Sequence, residues 1–206
     1  MTMRKRAAMV AVIGLVLIAC VAYVATMVRR GFSARDNPSS LEAAIANAMR
    51  SLAIPASAKS SANPFQVNPE VLAEAREHFA SHCASCHAND GSGQTQIGQN
   101  LYPKAPDMRE RATQSKTDGE LYYIIHNGIR LTGMPAWGEA GKADDDSWKL
   151  ALFIHHLPQL TPQEVREMEG FNPKSAAELE RQKAEEEFLR GEEDEDSHSN
   201  HGEETR

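Results

Sequence analysis

Residues 83–87 read Cys-Ala-Ser-Cys-His, two thiols and an imidazole within one short stretch. Three chemistries use such a run. A bare C-x-x-C serves as a redox dithiol or as half of a zinc site, and C-x-x-C-H is the signature for covalent attachment of haem c. In the last case each thiol adds across a haem vinyl group. The two-residue gap brings both sulfurs to one helical turn, and the adjoining imidazole comes beneath the iron. A zinc site of the usual kind needs a second ligand pair, and the remaining cysteine, Cys20, lies inside an apolar run. A thioredoxin-like dithiol sits in a βαβ pattern, which no segment here displays. Attachment through Cys83 and Cys86, with His87 as an axial ligand, is the reading that uses every residue.

The sixth ligand must come from elsewhere. Met108 and Met134 are the two of the eight methionines that fall between residues 65 and 160. Met134 is flanked by Gly133, which lets the backbone approach closely, and Pro135, which fixes the presenting loop. A thioether there raises the reduction potential and leaves no open coordination site. Met108 and His126 are the rivals. His78 and His82, at i and i+4, could share a metal; the alternative is two surface or pocket-edge residues. His155 and His156 are adjacent, so one is expected to pack and the other to be solvated. His198 and His201 stand among acids, a composition that can bind Cu or Zn weakly, against the default of a solvated tail.

The elements that position these residues follow from periodicity. Asn68-Pro69-Glu70 caps a helix with Val71, Leu72, Ala75 and Phe79 on one face. Residues 91–115 are a Gly-, Gln- and Pro-rich loop. A second helix fits Asp118 to Asn127, capped by Thr117 or Asp118 and stopped by Gly128. A third runs from about Asp145 to Leu157, with Trp148, Ala151, Leu152 and His155 along one side, and ends at Pro158. The expectation is an all-α domain over residues 65–160. It is thin in apolar content, so it needs a staple such as a cofactor.

Outside that domain, residues 7–28 are an uncharged apolar run of 22 residues. As a helix it measures about 33 Å, enough to cross a bilayer core. Arg4, Lys5 and Arg6 precede it and Arg29 and Arg30 follow, which places the N-terminus inside. Residues 1–30 are therefore expected to anchor the chain in the cytoplasmic membrane. Leu17-Ile18-Ala19-Cys20 also resembles a lipoprotein box that would put a lipid on Cys20, although the apolar run continues well past it. A simply cleaved signal peptide is the third alternative, and in all three cases residues 31–206 lie outside the cytoplasm. Residues 31–64 read as a linker, a semi-ordered tether in which Leu41 to Leu52 repeat at helical spacing behind a possible capping box at Ser39-x-x-Glu42; the alternative is a short helix lying on the membrane or on the domain. Residues 161–206 are polar, with a charged helix from Ser175 and a disordered tail after Gly191. Residues 185–206 carry ten acids and two arginines, a net of −8 against −7 for the whole chain. The acidity thus belongs to the tail, and nothing in the composition supports nucleic-acid binding.

The chain resembles the class I mono-haem cytochrome c family, in a bacterial, membrane-anchored form. The residues that carry the likeness are Phe79, Cys83 to His87, Gly91-Ser-Gly93, Ala105-Pro-Asp-Met108, Glu120 to Gly128, Gly133-Met-Pro-Ala-Trp137 and Trp148. The resemblance implies a small helical shell around one covalent haem c, with its first and last helices crossing. It implies Met134 as the distal ligand, and Trp137 or Arg130 as hydrogen-bond donors to a haem propionate. It further implies single-electron transfer between redox proteins on the outer face of the membrane, by a free carrier or by a cytochrome subunit of a respiratory or dehydrogenase complex, and no catalysis of its own.

Overall fold

The computed structural model describes residues 3–31 and 33–199, and they are all helix or connecting turn with no strand among them. Ten α-helices follow in chain order among the described residues. They are α1 (Met3–Arg30), α2 (Ser40–Ala53), α3 (Ala56–Ser60), α4 (Pro69–His78), α5 (Ala84–His87), α6 (Arg111–Gln114), α7 (Asp118–Asn127), α8 (Asp145–His156), α9 (Pro162–Glu169) and α10 (Ala176–Ser199). Helix α1 is apolar, uncharged through its centre and long enough to cross a bilayer.

The domain core forms where α4 crosses α8 and α8 meets α7. Phe79 and Phe153 are both fully buried, with ring centroids 5.3 Å apart. Ala75, Leu121, Ile125, Leu150, Ala151 and Leu157 belong to the same cluster. Local chemistry sets the helix ends. The Asn68 side chain accepts from the Val71 amide at 2.9 Å. Thr117 and Glu120 form a reciprocal capping box on α7, so Thr117 rather than Asp118 is the cap. Asp144 caps α8 through the Asp146 and Ser147 amides.

The domain is larger than residues 65–160. Met168 of α9 is fully buried in the core, and Arg76 of α4 pairs with Glu164 and Glu167 of α9. On the other side, α3 lies against α7 so closely that a Cβ at Gly119 would stand 2.0 Å from the Ala58 carbonyl oxygen. The Thr117 hydroxyl donates to the Lys59 carbonyl, and the Asn63 amide donates to Asp118 and to the Trp148 carbonyl. The last third of the expected linker is therefore domain. Helix α10 also continues past Gly191 to Ser199, where the sequence reading ended it. One glycine costs a helix only about 1 kcal/mol, and the glutamates around it are good helix formers. The expected disorder of residues 200–206, and the metal reading of His201, lie outside the described residues, as does the side chain of His198.

Candidate functional site

Helix α4 does not run straight into the cysteine motif. Residues Phe79–Cys83 form a π-turn, in which the Ala84 amide donates to the Phe79 carbonyl, and α5 follows at once. Such insertions re-aim the side chains that follow them. Here the turn starts with the buried core residues Phe79 and Ala80 and ends at Cys83, where the motif begins. The run ends at Ala88, whose φ of +61° is unusual for a residue with a Cβ.

Cys83, the last residue of this turn, and Cys86 of α5 are both half-buried free thiols. Burial, and then the neighbouring Cys86, push the Cys83 thiol up to about 12. A redox dithiol needs the opposite, a thiolate stabilised near neutral pH. No three His, Cys, Asp or Glu side chains converge on a metal-sized site among the described residues. His82 is stacked on His78 with ring centroids 4.6 Å apart.

His87 is buried, and its Nδ1 makes no hydrogen bond among the described residues. Burial holds its pKa down to about 4, with the Pro106 carbonyl acting weakly the other way. The ring is thus a neutral imidazole, the form that ligates metals. Loop 91–108 folds over it. The Gly93 amide donates to the His87 carbonyl at 2.8 Å and the Met108 amide to the Gly91 carbonyl at 2.8 Å. A Cβ at Gly98 would stand 2.2 Å from the Cys86 carbonyl oxygen, so this close passage requires glycine. Met108 is buried in the core cluster, an apolar packing residue.

Met134 sits half-buried on the loop after α7. Its amide donates to the Thr132 hydroxyl oxygen at 3.1 Å, and its carbonyl accepts from the Ile129 amide at 3.1 Å. Further on, the Trp137 and Gly138 amides donate to the Ile125 and His126 carbonyls of α7. The loop bearing Met134 is therefore pinned at both ends. His126, which the sequence placed at a surface or haem edge, is buried beneath this loop and stacked on Tyr122. Gly138 passes so close that a Cβ there would stand 1.8 Å from His126 Nδ1. Trp137 is 39% exposed and meets His82 edge-on at 5.5 Å. Arg130 is exposed and makes no ion pair among the described residues. His155 and His156 do not divide into one packed and one solvated ring. Both are half-buried, His155 against Asp118 at 3.2 Å and His156 against Glu164 at 3.4 Å.

Residues 70–154 match the family described as cytochrome C oxidase, cbb3-type, subunit III. Residues 70–154 are a c-type cytochrome domain. The chain is 34% identical over 91 residues to the cbb3-type cytochrome c oxidase subunit FixP of Rhizobium meliloti (strain 1021), covering 43% of this chain. It is 37% identical over 89 residues to subunit FixPc of Rhizobium leguminosarum bv. viciae, covering 42%. In both cases the match spans 28% of the relative's length.

A cytochrome domain of this kind carries covalently bound haem c, and the residues present fit that group. Two free thiols one turn apart are followed by a buried neutral imidazole with an unpartnered nitrogen. Around the domain's loops, Ile97 and Leu131 present apolar side chains that are 52% and 92% exposed, and Leu101 is half-buried beside Gly133. The all-α fold and the cytochrome c resemblance both hold.

Proposed function

We propose that this chain is a membrane-anchored, mono-haem electron carrier. Cys83 and Cys86 hold the haem by thioethers, and His87 and Met134 are its axial ligands. The observation that carries the reading is the buried His87 imidazole directly after two free thiols. When bound, haem c supplies a one-electron iron couple. The chain's own residues orient and enclose it. His87 would present a neutral ring, the π-turn that ends at Cys83 would aim the thiols, and the pinned loop would offer the Met134 thioether as the second iron ligand. With both axial positions filled there is no room for a substrate on iron, so the domain relays electrons rather than catalysing a reaction. Trp137, beside the Met134 loop, and the uncommitted Arg130 are the candidates for propionate contacts.

Helix α1 supports retention in the cytoplasmic membrane, since it continues apolar past Cys20 to Val28. The charges flanking it support an N-terminus inside and a haem domain in the periplasm. The names of the relatives favour a second form of the same chemistry, a cytochrome subunit of a larger oxidase. Acid-acetone extraction tests the attachment: the haem should stay on the wild-type polypeptide and be lost from Cys83→Ala/Cys86→Ala. Met134→Ala should abolish the near-infrared sulfur-to-iron band of the oxidised protein, and Met108→Ala should leave it. A band that survives Met134→Ala overturns the ligand assignment. Copurification of an oxidase after mild detergent extraction separates subunit from free carrier.

A further inference from the structure

Helix α2 turns the wrong way for a helix belonging to a soluble domain. Its apolar residues Leu41, Ile45, Met49 and Leu52 recur at helical spacing and form one stripe, with Ala44 and Ala48 beside it. They are 70%, 52%, 66% and 84% exposed. The partly buried residues of α2 are Glu42, Ala43 and Arg50, which occupy a different side of the helix. The domain thus meets a mainly polar edge of α2, and the apolar stripe faces away from it.

That polar edge is held in place. The Tyr102 hydroxyl donates to Glu42 Oε1, and this bond is the main reason the Tyr102 pKa rises to about 12. The Lys59 ammonium donates to the Ser51 carbonyl at 2.7 Å, and Ile54, the C-cap, is buried. Both ends of α2 are fastened to the domain. The stripe faces outward through attachments, not for want of them.

We propose that α2 lies in the headgroup region of the bilayer that α1 spans, with Leu41, Ile45, Met49 and Leu52 immersed among the acyl chains. This rests on the reading of α1 as a membrane anchor. Continuity of chain favours lipid as the occupant: α2 begins only ten residues after α1 ends, a reach of at most about 35 Å. The junction adds charge complementarity to anionic headgroups, with Arg29 and Arg30 at the end of α1 and Arg35 in the connection against the single acid Asp36. An amphipathic helix of this build lies in the plane of the interface. Tyr102 belongs to the loop that covers the cysteine motif, so its bond to Glu42 sets that loop, and with it the haem domain, at one orientation to the membrane.

The test uses the full-length, haem-loaded chain in nanodiscs of phosphatidylethanolamine and phosphatidylglycerol. Cys20→Ala removes the free thiol outside the haem motif. Single nitroxide labels then go on Leu17→Cys in α1, and on Met49→Cys and Asn47→Cys on the two sides of α2. Collision rates with oxygen and with a water-soluble nickel chelate report immersion. We expect nickel accessibility at Met49 to be several-fold below that at Asn47, with oxygen favoured at both Met49 and Leu17. Ile45→Asp should restore nickel accessibility at Met49 without changing the haem spectrum. If the Met49 label behaves as Asn47 does while Leu17 stays immersed, the surface-helix inference fails and the anchor stands. A Met49 label shielded from both quenchers points to a protein on the stripe and also overturns it. A nickel-accessible Leu17 instead removes the anchor reading itself.

Discussion

The contact between Gly138 and the His126 ring is the tightest side-chain constraint on the Met134 loop. Gly138→Ala would place a methyl 1.8 Å from His126 Nδ1, so ring or loop must move. Overpacking of this kind costs about 1–3 kcal/mol. For a domain of this size that is several degrees in Tm, and the near-infrared band should weaken with it. Ala88 predicts the opposite sign. Its φ of +61° is strained for alanine, so Ala88→Gly should stabilise the domain by about 1 kcal/mol, read from denaturant midpoints. His78 gives a pH dependence. Burial holds its pKa below the ordinary value, with Asp146 at 3.6 Å opposing. A depressed histidine pKa means stability is full above about 6.5 and declines as the pH falls from there toward the folded value. His78→Gln should flatten the fall in Tm over that range. None of these contacts was legible in the sequence. Each joins residues through the approach of separate segments or through a backbone angle, and neither leaves a compositional mark.

At the scale of elements, the helices that hold the site were legible because their ends are local. Asn68, Thr117 and Asp144 each bond amides two or three residues ahead, and a cap of that kind can be read without the fold. Thr117→Ala should cost about 0.5–2 kcal/mol, and somewhat more if the lost hydrogen bond to the Lys59 carbonyl also frees α3. Helix α9 was not legible as part of the domain. It is polar throughout except for Val165 and Met168, and only tertiary packing reveals that Met168 is fully buried. Met168→Ala should therefore cost about 2–5 kcal/mol, measured as a loss of thermal stability with the haem spectrum retained. A methionine on a solvated helix would produce almost no change.

At the scale of the whole molecule, charge is segregated along the chain. The excess of acids lies in residues 185–206, while the remaining chain is close to neutral. Such a tail is expected to act on encounter rather than on chemistry, because charged surfaces steer association and are screened over ~10 Å at 0.1 M salt. Truncation after Arg190 should leave the visible spectrum and the potential unchanged. It should slow electron transfer with a basic partner at low salt, with the difference vanishing as salt rises. An acidic partner should show the reverse, and a rate unaffected with any partner would limit the tail to solubility.

The sequence alone determined the all-α class, the apolar N-terminal run, the haem motif at Cys83 to His87, the start of α4 and the bounds of α7 and, to within a residue, α8. These depend on composition, helical period, caps and a contiguous five-residue chemistry, all of which are local in the chain. Tertiary structure decided the rest. It extended the domain to α3 and α9, buried His126 under Gly138, gave His155 and His156 separate carboxylate partners, and turned the apolar stripe of α2 away from the core. The periodicity of α2 reveals that a stripe exists but not which way it faces. That direction is set by Tyr102 and Lys59, residues that come near α2 only when the chain folds.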